Sequence, residues 1–103
     1  MAKSNENKVL QSVGQYLTLK KHFFFRVNNI PIKQGDHFRA MPKFSMKGVP
    51  DLILIWNGQF IGLEVKDKAP QSKDQKIFEG KCKEAGAEYY LIRNIEQLKE
   101  IGL

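Results

Sequence analysis

Asp51, Glu64 and Lys66 are the residues of this chain whose types and spacing could do chemistry. They belong to the stretch Gly48–Lys66, GVPDLILIWNGQFIGLEVK, which reads as two strands around a tight turn. Asn57-Gly58 is a favoured two-residue hairpin loop, because both of its positions take positive φ. A two-residue loop pairs Trp56 with Gln59 and Ile55 with Phe60, and so sets Asp51 opposite Glu64. Opposed residues share a face, with Cα atoms roughly 4.5–5.5 Å apart. Lys66, two residues beyond Glu64, lies on that face too. Two carboxylates thus stand side by side with an ammonium next to them. Like charges opposed on a sheet are destabilising. A divalent cation would offset that repulsion, and oxygen ligands of this kind suit Mg²⁺ or Mn²⁺. The plainer alternative makes Asp51 a cap at the start of its strand and Glu64–Lys66 a surface ion pair.

The elements around this pair must be built from 103 residues, enough for one domain, 1–103, with a modest core. Apolar residues make up 42% of the chain, which excludes a disordered polypeptide. Lys and Arg number 17 against 11 Asp and Glu, for a net charge of +6, and this favours a polyanionic partner, nucleic acid first. The single cysteine, Cys82, excludes an internal disulfide and a cysteine zinc site, and points to an intracellular home. No apolar stretch is long enough to span a membrane, and the N-terminus is polar rather than signal-like.

In chain order, Ser4 or Asn5 is the expected N-cap of a helix over Glu6–Lys21, with Val9, Leu10, Val13, Tyr16 and Leu17 as its buried stripe. Glu6 shares the face of Val9 and Leu10. It is either a partner for the helix dipole or an acid aimed under the helix toward a site. Phe23–Asn28 is a strand by its aromatic and β-branched content, expected in the centre of the sheet with its phenylalanines packed on both faces. His22 before it reads as a polar edge residue.

Asn29–Val49 reads as a long loop or weak hairpin. It carries Lys33, His37, Arg39, Lys43 and Lys47 interleaved with Phe38 and Phe44. Basic residues mixed with aromatics suit a nucleic-acid backbone with occasional base stacking. A solvated loop whose phenylalanines tuck onto the core is the alternative. After the hairpin, Ser72-Lys73-Asp74-Gln75 forms a capping box for a helix that runs to about Ala85 and is closed by Gly86. Phe78, Cys82 and Ala85 mark its inner face. Glu88–Ile92 is the next strand, parallel to Gln59–Lys66 through a βαβ connection. Ile95–Ile101 is a short last helix with Ile95, Leu98 and Ile101 toward the core.

The element order α-β-β-β-α-β-α, with Pro50-Asp51 and Glu64-Val65-Lys66 on the central hairpin, resembles the PD-(D/E)XK nuclease superfamily. Gly48-Val49-Pro50-Asp51-Leu52, then Glu64-Val65-Lys66, then Gln75 in the following helix, is similar to its virus-type replication-repair (VRR) nuclease branch, and Glu6 matches that family's helix-1 acid. The resemblance runs from Glu6 to about Ile92. It implies an α/β fold with a restriction-endonuclease-like αβββαβ core, a mixed central sheet flanked by helices. It also implies a Mg²⁺- or Mn²⁺-dependent endonuclease that hydrolyses DNA phosphodiesters in replication and repair. Small free-standing members are often found in phages, resemble Holliday-junction resolvases and tend to be homodimers. That implies branched DNA as substrate and the cytoplasm of a bacterial or phage-infected cell as the location.

On this reading Asp51, Glu64 and the Val65 carbonyl bind the metal, and Glu6 completes the shell directly or through water. Lys66 orients or deprotonates the attacking water. Gln75 holds that water or a phosphate oxygen, alongside or instead of its capping duty. Lys33, Arg39, Lys43 and Lys47 track the DNA backbone. A nucleic-acid-binding module without catalysis is the alternative function, and a small partner-binding domain a more distant one.

Overall fold

A computed structural model shows an α/β chain whose main sheet has four strands of mixed direction. It describes residues 2–27, 33–34, 37–38 and 42–103, leaving aside the side chains of 2–4, 33–34 and 37–38. The elements are α1 (Ala2–Leu19), β1 (Phe23–Arg26), β2 (Lys33–Gln34), β3 (His37–Phe38), β4 (Leu52–Trp56), β5 (Gln59–Val65), α2 (Lys73–Glu84), β6 (Glu88–Ile92) and α3 (Ile95–Ile101). The main sheet runs β1-β4-β5-β6, antiparallel except for the parallel β5–β6 pair. β2 and β3 form a separate two-stranded antiparallel pair, in keeping with the weak-hairpin reading of the stretch from Asn29 to Val49.

The β4–β5 turn has the expected conformation. Asn57 and Gly58 take φ of 51° and 77°, and the register runs from Trp56↔Gln59 to Leu52↔Leu63. One residue further in the same register, Asp51 faces Glu64. The β5–α2–β6 unit is equally legible. Ser72 caps α2 and Gln75 reciprocates, while Gly86, at φ 88°, follows the helix.

Alternation along the strands gives the sheet two unlike faces. Leu52, Leu54, Ile61, Leu63, Val65 and Ile92 are buried with Val13 and Leu17 of α1 and Leu98 of α3. Full burial of each such side chain contributes about 1.5–3 kcal/mol. On the other face α2 packs against β6, with Phe78 and Tyr89 rings 6.3 Å apart.

Several expectations need correction. α1 starts at Ala2, so Ser4 and Asn5 lie inside the helix rather than capping it. It ends at Leu19, where Lys21 turns to φ 61° and donates to the Thr18 carbonyl. β1 is an edge strand, not a central one. Only Phe24 packs against the core; Phe23 and Phe25 are 68% and 46% exposed, because α2 covers the far side of their face. Ala85 is the exposed C-cap of α2 rather than part of its inner face. In α3, Leu98 is buried and Ile101 packs on the core as expected, while Ile95 is half-buried at the start of the helix. Among the described residues, no helix is long and apolar enough to cross a membrane.

Candidate active site

The site sits at the open end of the β4–β5 hairpin, and its position depends on a glycine inside β5. A Cβ at Gly62 would lie 2.9 Å from Pro50 Cγ and 3.3 Å from Tyr89 Cδ2. Gly62 therefore makes the space that lets Pro50 be buried against the sheet. Asp51, the next residue, is held twice. Its backbone carbonyl accepts from Val27 N–H at 2.9 Å, continuing the β1–β4 ladder. Its Oδ2 accepts from Val65 N–H at 2.8 Å. The carboxylate is thus aimed across the hairpin at the strand that carries Glu64.

Glu64 is 2% exposed. Its Oε1 is buried without a hydrogen-bond partner, and its Oε2 lies 3.8 Å from Lys66 Nζ. Burial, the neighbouring Asp51 charge and the close carboxyl–carboxyl approach of Asp51 push the Glu64 carboxyl up to about 8. Lys66 pulls the other way and Glu6 adds a smaller push upward. Burial and the facing Asp51 carboxylate thus favour the protonated form of Glu64. An ionised pair here has to find positive charge beyond what Lys66 supplies.

Lys66 is fixed from both ends. Its N–H donates to the Ile92 carbonyl at 3.0 Å, and Arg93 Nη1 donates to the carbonyl of Asp67 at 2.9 Å. Its ammonium lies between Glu64 and Glu6, whose Oε1 is 3.9 Å away. Glu6 does not partner a helix N-terminus, since no acid lies in the first turn of α1. It points under the helix toward the site, and meets Lys66 rather than the carboxylate pair.

Gln75 plays the capping role. Its Oε1 accepts from Ser72 N–H at 2.8 Å, and its own N–H donates to Ser72 Oγ at 3.2 Å. Among the described residues, no hydrogen bond or ion pair links it to Asp51, Glu64 or Lys66. The first turn of α2 is nonetheless tied to the site through Gly48, at φ 77°. A Cβ there would meet Asp74 O at 2.3 Å and Gln75 N at 2.8 Å. Only glycine lets the chain pass so close to α2 on its way to Pro50-Asp51. Lys43 and Lys47 are exposed on the segment leading into Gly48. The whole of Arg39 and the side chains of Lys33, His37 and Phe38 lie outside the described residues.

Tyr89 is a neighbour of the site that the sequence did not single out. It is buried, and its hydroxyl has no partner of hydrogen-bond geometry. Burial raises its pKa, with smaller contributions from the Glu64, Glu79 and Asp51 charges, against a lowering from Gln71. Its signal in the sequence was Gly62. A glycine inside an apolar strand marks a close approach, here by Pro50 and the tyrosine ring. His22, by contrast, is structural. Its ring stands edge-on to Trp56 at 6.3 Å, with Nε2 3.4 Å from the Leu103 carbonyl oxygen.

Among the described residues, no three His, Cys, Asp or Glu side chains gather as a metal-binding group. A Mg²⁺-like ion needs only one or two carboxylates, with waters and substrate oxygens completing its shell. Asp51 and Glu64 offer that donor set, and the unpartnered Glu64 Oε1 is an oxygen that such an ion would satisfy. Comparison of the chain with protein-family models, with curated proteins and with solved structures finds no match.

Proposed function

We propose that this chain is a metal-dependent DNA endonuclease with the αβββαβ core of the PD-(D/E)XK superfamily, closest in its motifs to the VRR branch. The observation that carries the reading is the buried Glu64 carboxylate facing the half-buried Asp51 beside Lys66, with one Glu64 oxygen unpartnered, in a chain of net charge +6. A fold gains nothing from crowding two carboxylates at the end of an apolar ribbon. A site that recruits a cation to a phosphodiester does.

Asp51 and Glu64, with the Val65 carbonyl, would hold Mg²⁺ or Mn²⁺. When bound, that ion supplies a Lewis acid for the phosphoryl oxygen and lowers the pKa of a coordinated water. Lys66 holds the attacking water and offsets the charge that builds on the phosphorane. Glu6 keeps the ammonium in place. The carbonyl oxygen of Gln75 is engaged in its cap, which leaves the amide NH₂ to donate to a phosphate oxygen near the positive end of α2. Lys43 and Lys47, with Lys33 and Arg39, follow the DNA backbone. One such site cuts one strand, so paired cuts across a branched DNA need two copies of the chain.

The test is incubation of a labelled four-way junction, a flap and a plain duplex with Mg²⁺, Mn²⁺ or EDTA. Cleavage is expected with either metal and not with EDTA. Lys66→Ala is expected to lower it by about 10²–10⁴-fold, the usual worth of a positioned proton-transfer group. No cleavage of any substrate, or a wild-type rate from Lys66→Ala, contradicts the reading.

A further inference from the structure

We propose that Phe44 is a stacking platform for an unpaired nucleobase, so that the preferred substrate carries single-stranded character near the site. Three observations converge on this residue. First, Phe44 is 90% exposed, so no core contact accounts for a phenylalanine there. Second, it takes φ 73° in a turn closed by Ser45 N–H donating to the Pro42 carbonyl at 3.1 Å. The third position of a four-residue turn with positive φ favours Gly or Asn, and a bulky side chain there is an outlier. The other described non-glycine residues with positive φ have local reasons: Lys21 closes α1 and Asn57 forms the hairpin turn. Neither the turn nor the core calls for an aromatic ring at position 44. Strained backbone held in place this way clusters at ligand-binding sites.

Third, the surroundings of the ring match one kind of ligand. Lys43 Nζ lies over one face, 5.4 Å from the centroid, and Lys47 is exposed three residues further on. A base on the free face of the ring would complete a base–phenyl–ammonium stack. The two ammonium groups would sit near that nucleotide's phosphates. Base–aromatic stacking tolerates any sequence but requires an unpaired base. A paired base has its faces covered by its neighbours.

The placement also relates the ring to the cut. Gly48 is wedged against the backbone of Asp74 and Gln75, which anchors the segment beside Asp51. Asp51 lies seven positions after Phe44, a span of at most about 25 Å. That corresponds to about seven nucleotides at ~3.4 Å per nucleotide of one strand. This spacing rests on the nuclease reading, whereas the stacking itself does not.

Binding in EDTA separates the two claims. The probes are a labelled duplex with a single-stranded arm and a fully paired duplex with the same number of phosphates. The wild-type chain is expected to prefer the armed probe. Phe44→Ala should weaken binding to that probe about tenfold and change binding to the paired duplex by less than twofold. Phe44→Trp should keep the preference. Phe44→Gly should lose it while its thermal midpoint does not fall, since glycine suits the turn. The proposal is overturned if Phe44→Ala binds the armed probe like wild type, if it weakens both probes equally, or if the wild-type chain binds neither. Preference for the armed probe without metal-dependent cleavage would leave the stacking site standing and remove the nuclease reading.

Discussion

The two ends of the β4–β5 hairpin obey opposite rules. At the turn, every local choice agrees with the fold. Asn57 and Gly58 adopt the positive φ that a two-residue loop needs, and Gln59 Nε2 reaches the Gly86 carbonyl at 2.7 Å. At the open end, the same ladder delivers Asp51 to Glu64, buries Glu64 with an unpartnered oxygen and raises its carboxyl pKa. The turn is where the chain spends residues on stability. The open end is where it tolerates a local cost, and such costs concentrate where a protein does chemistry.

The largest expected effect separates the ends by activity. Glu64→Gln should lower metal-dependent cleavage by about 10³-fold or more, the scale of losing transition-state charge stabilisation, without lowering the thermal midpoint. A midpoint that fell as far as for a core deletion would make Glu64 a structural residue and erase the contrast. Gly62→Ala tests the strut beneath the site. The added methyl meets Pro50 and Tyr89, and overpacking of this kind costs about 1–3 kcal/mol. Thermal unfolding should show it, and cleavage should fall too as Asp51 shifts.

A third expectation concerns pH. The folded Glu64 carboxyl is raised from 4.5 to about 8. The unfolded chain gives up this proton first, so the stabilisation is fully present below 4.5 and is lost as pH rises toward 8. In EDTA the thermal midpoint should fall by several degrees across that window, and Glu64→Gln should flatten the slope. An equal slope in the variant would place the titration elsewhere. The smallest effect belongs to the turn. Asn57→Ala should cost about 1 kcal/mol through its positive φ, with cleavage within twofold of wild type, while Asn57→Gly should be nearly neutral.

What the sequence made legible follows from range. The Asn57-Gly58 turn is local, and once it is read the register carries Asp51 to Glu64 without further information. The spacing of Glu6, Val9 and Leu10 put Glu6 on the buried helical face but left it open between the helix end and the site, and the contact with Lys66 decides for the site. Gln75 was readable both as a cap and as a site residue, because a capping-box glutamine uses only one end of its amide. The failures are long-range. The exposure of Phe23 and Phe25 depends on where α2 lies across the sheet, which no local pattern in β1 records. The burial of Pro50 depends on an absent side chain at Gly62, on the neighbouring strand. Tyr89 reads as one more aromatic in a strand until its hydroxyl is seen beneath the carboxylates' side of the sheet.

The central claim is that Asp51 and Glu64 form one cation site, and calorimetric titration with Mn²⁺ tests it most directly. Run at pH 7 in two buffers of different ionisation enthalpy, it reads both binding and proton release. The wild-type chain is predicted to bind Mn²⁺ and to release protons as it does so, because Glu64 must ionise to ligate. Asp51→Asn and Glu64→Gln are predicted to abolish that binding while remaining folded. Undiminished binding by the two variants, or no binding by the wild-type chain at millimolar Mn²⁺, would contradict the account.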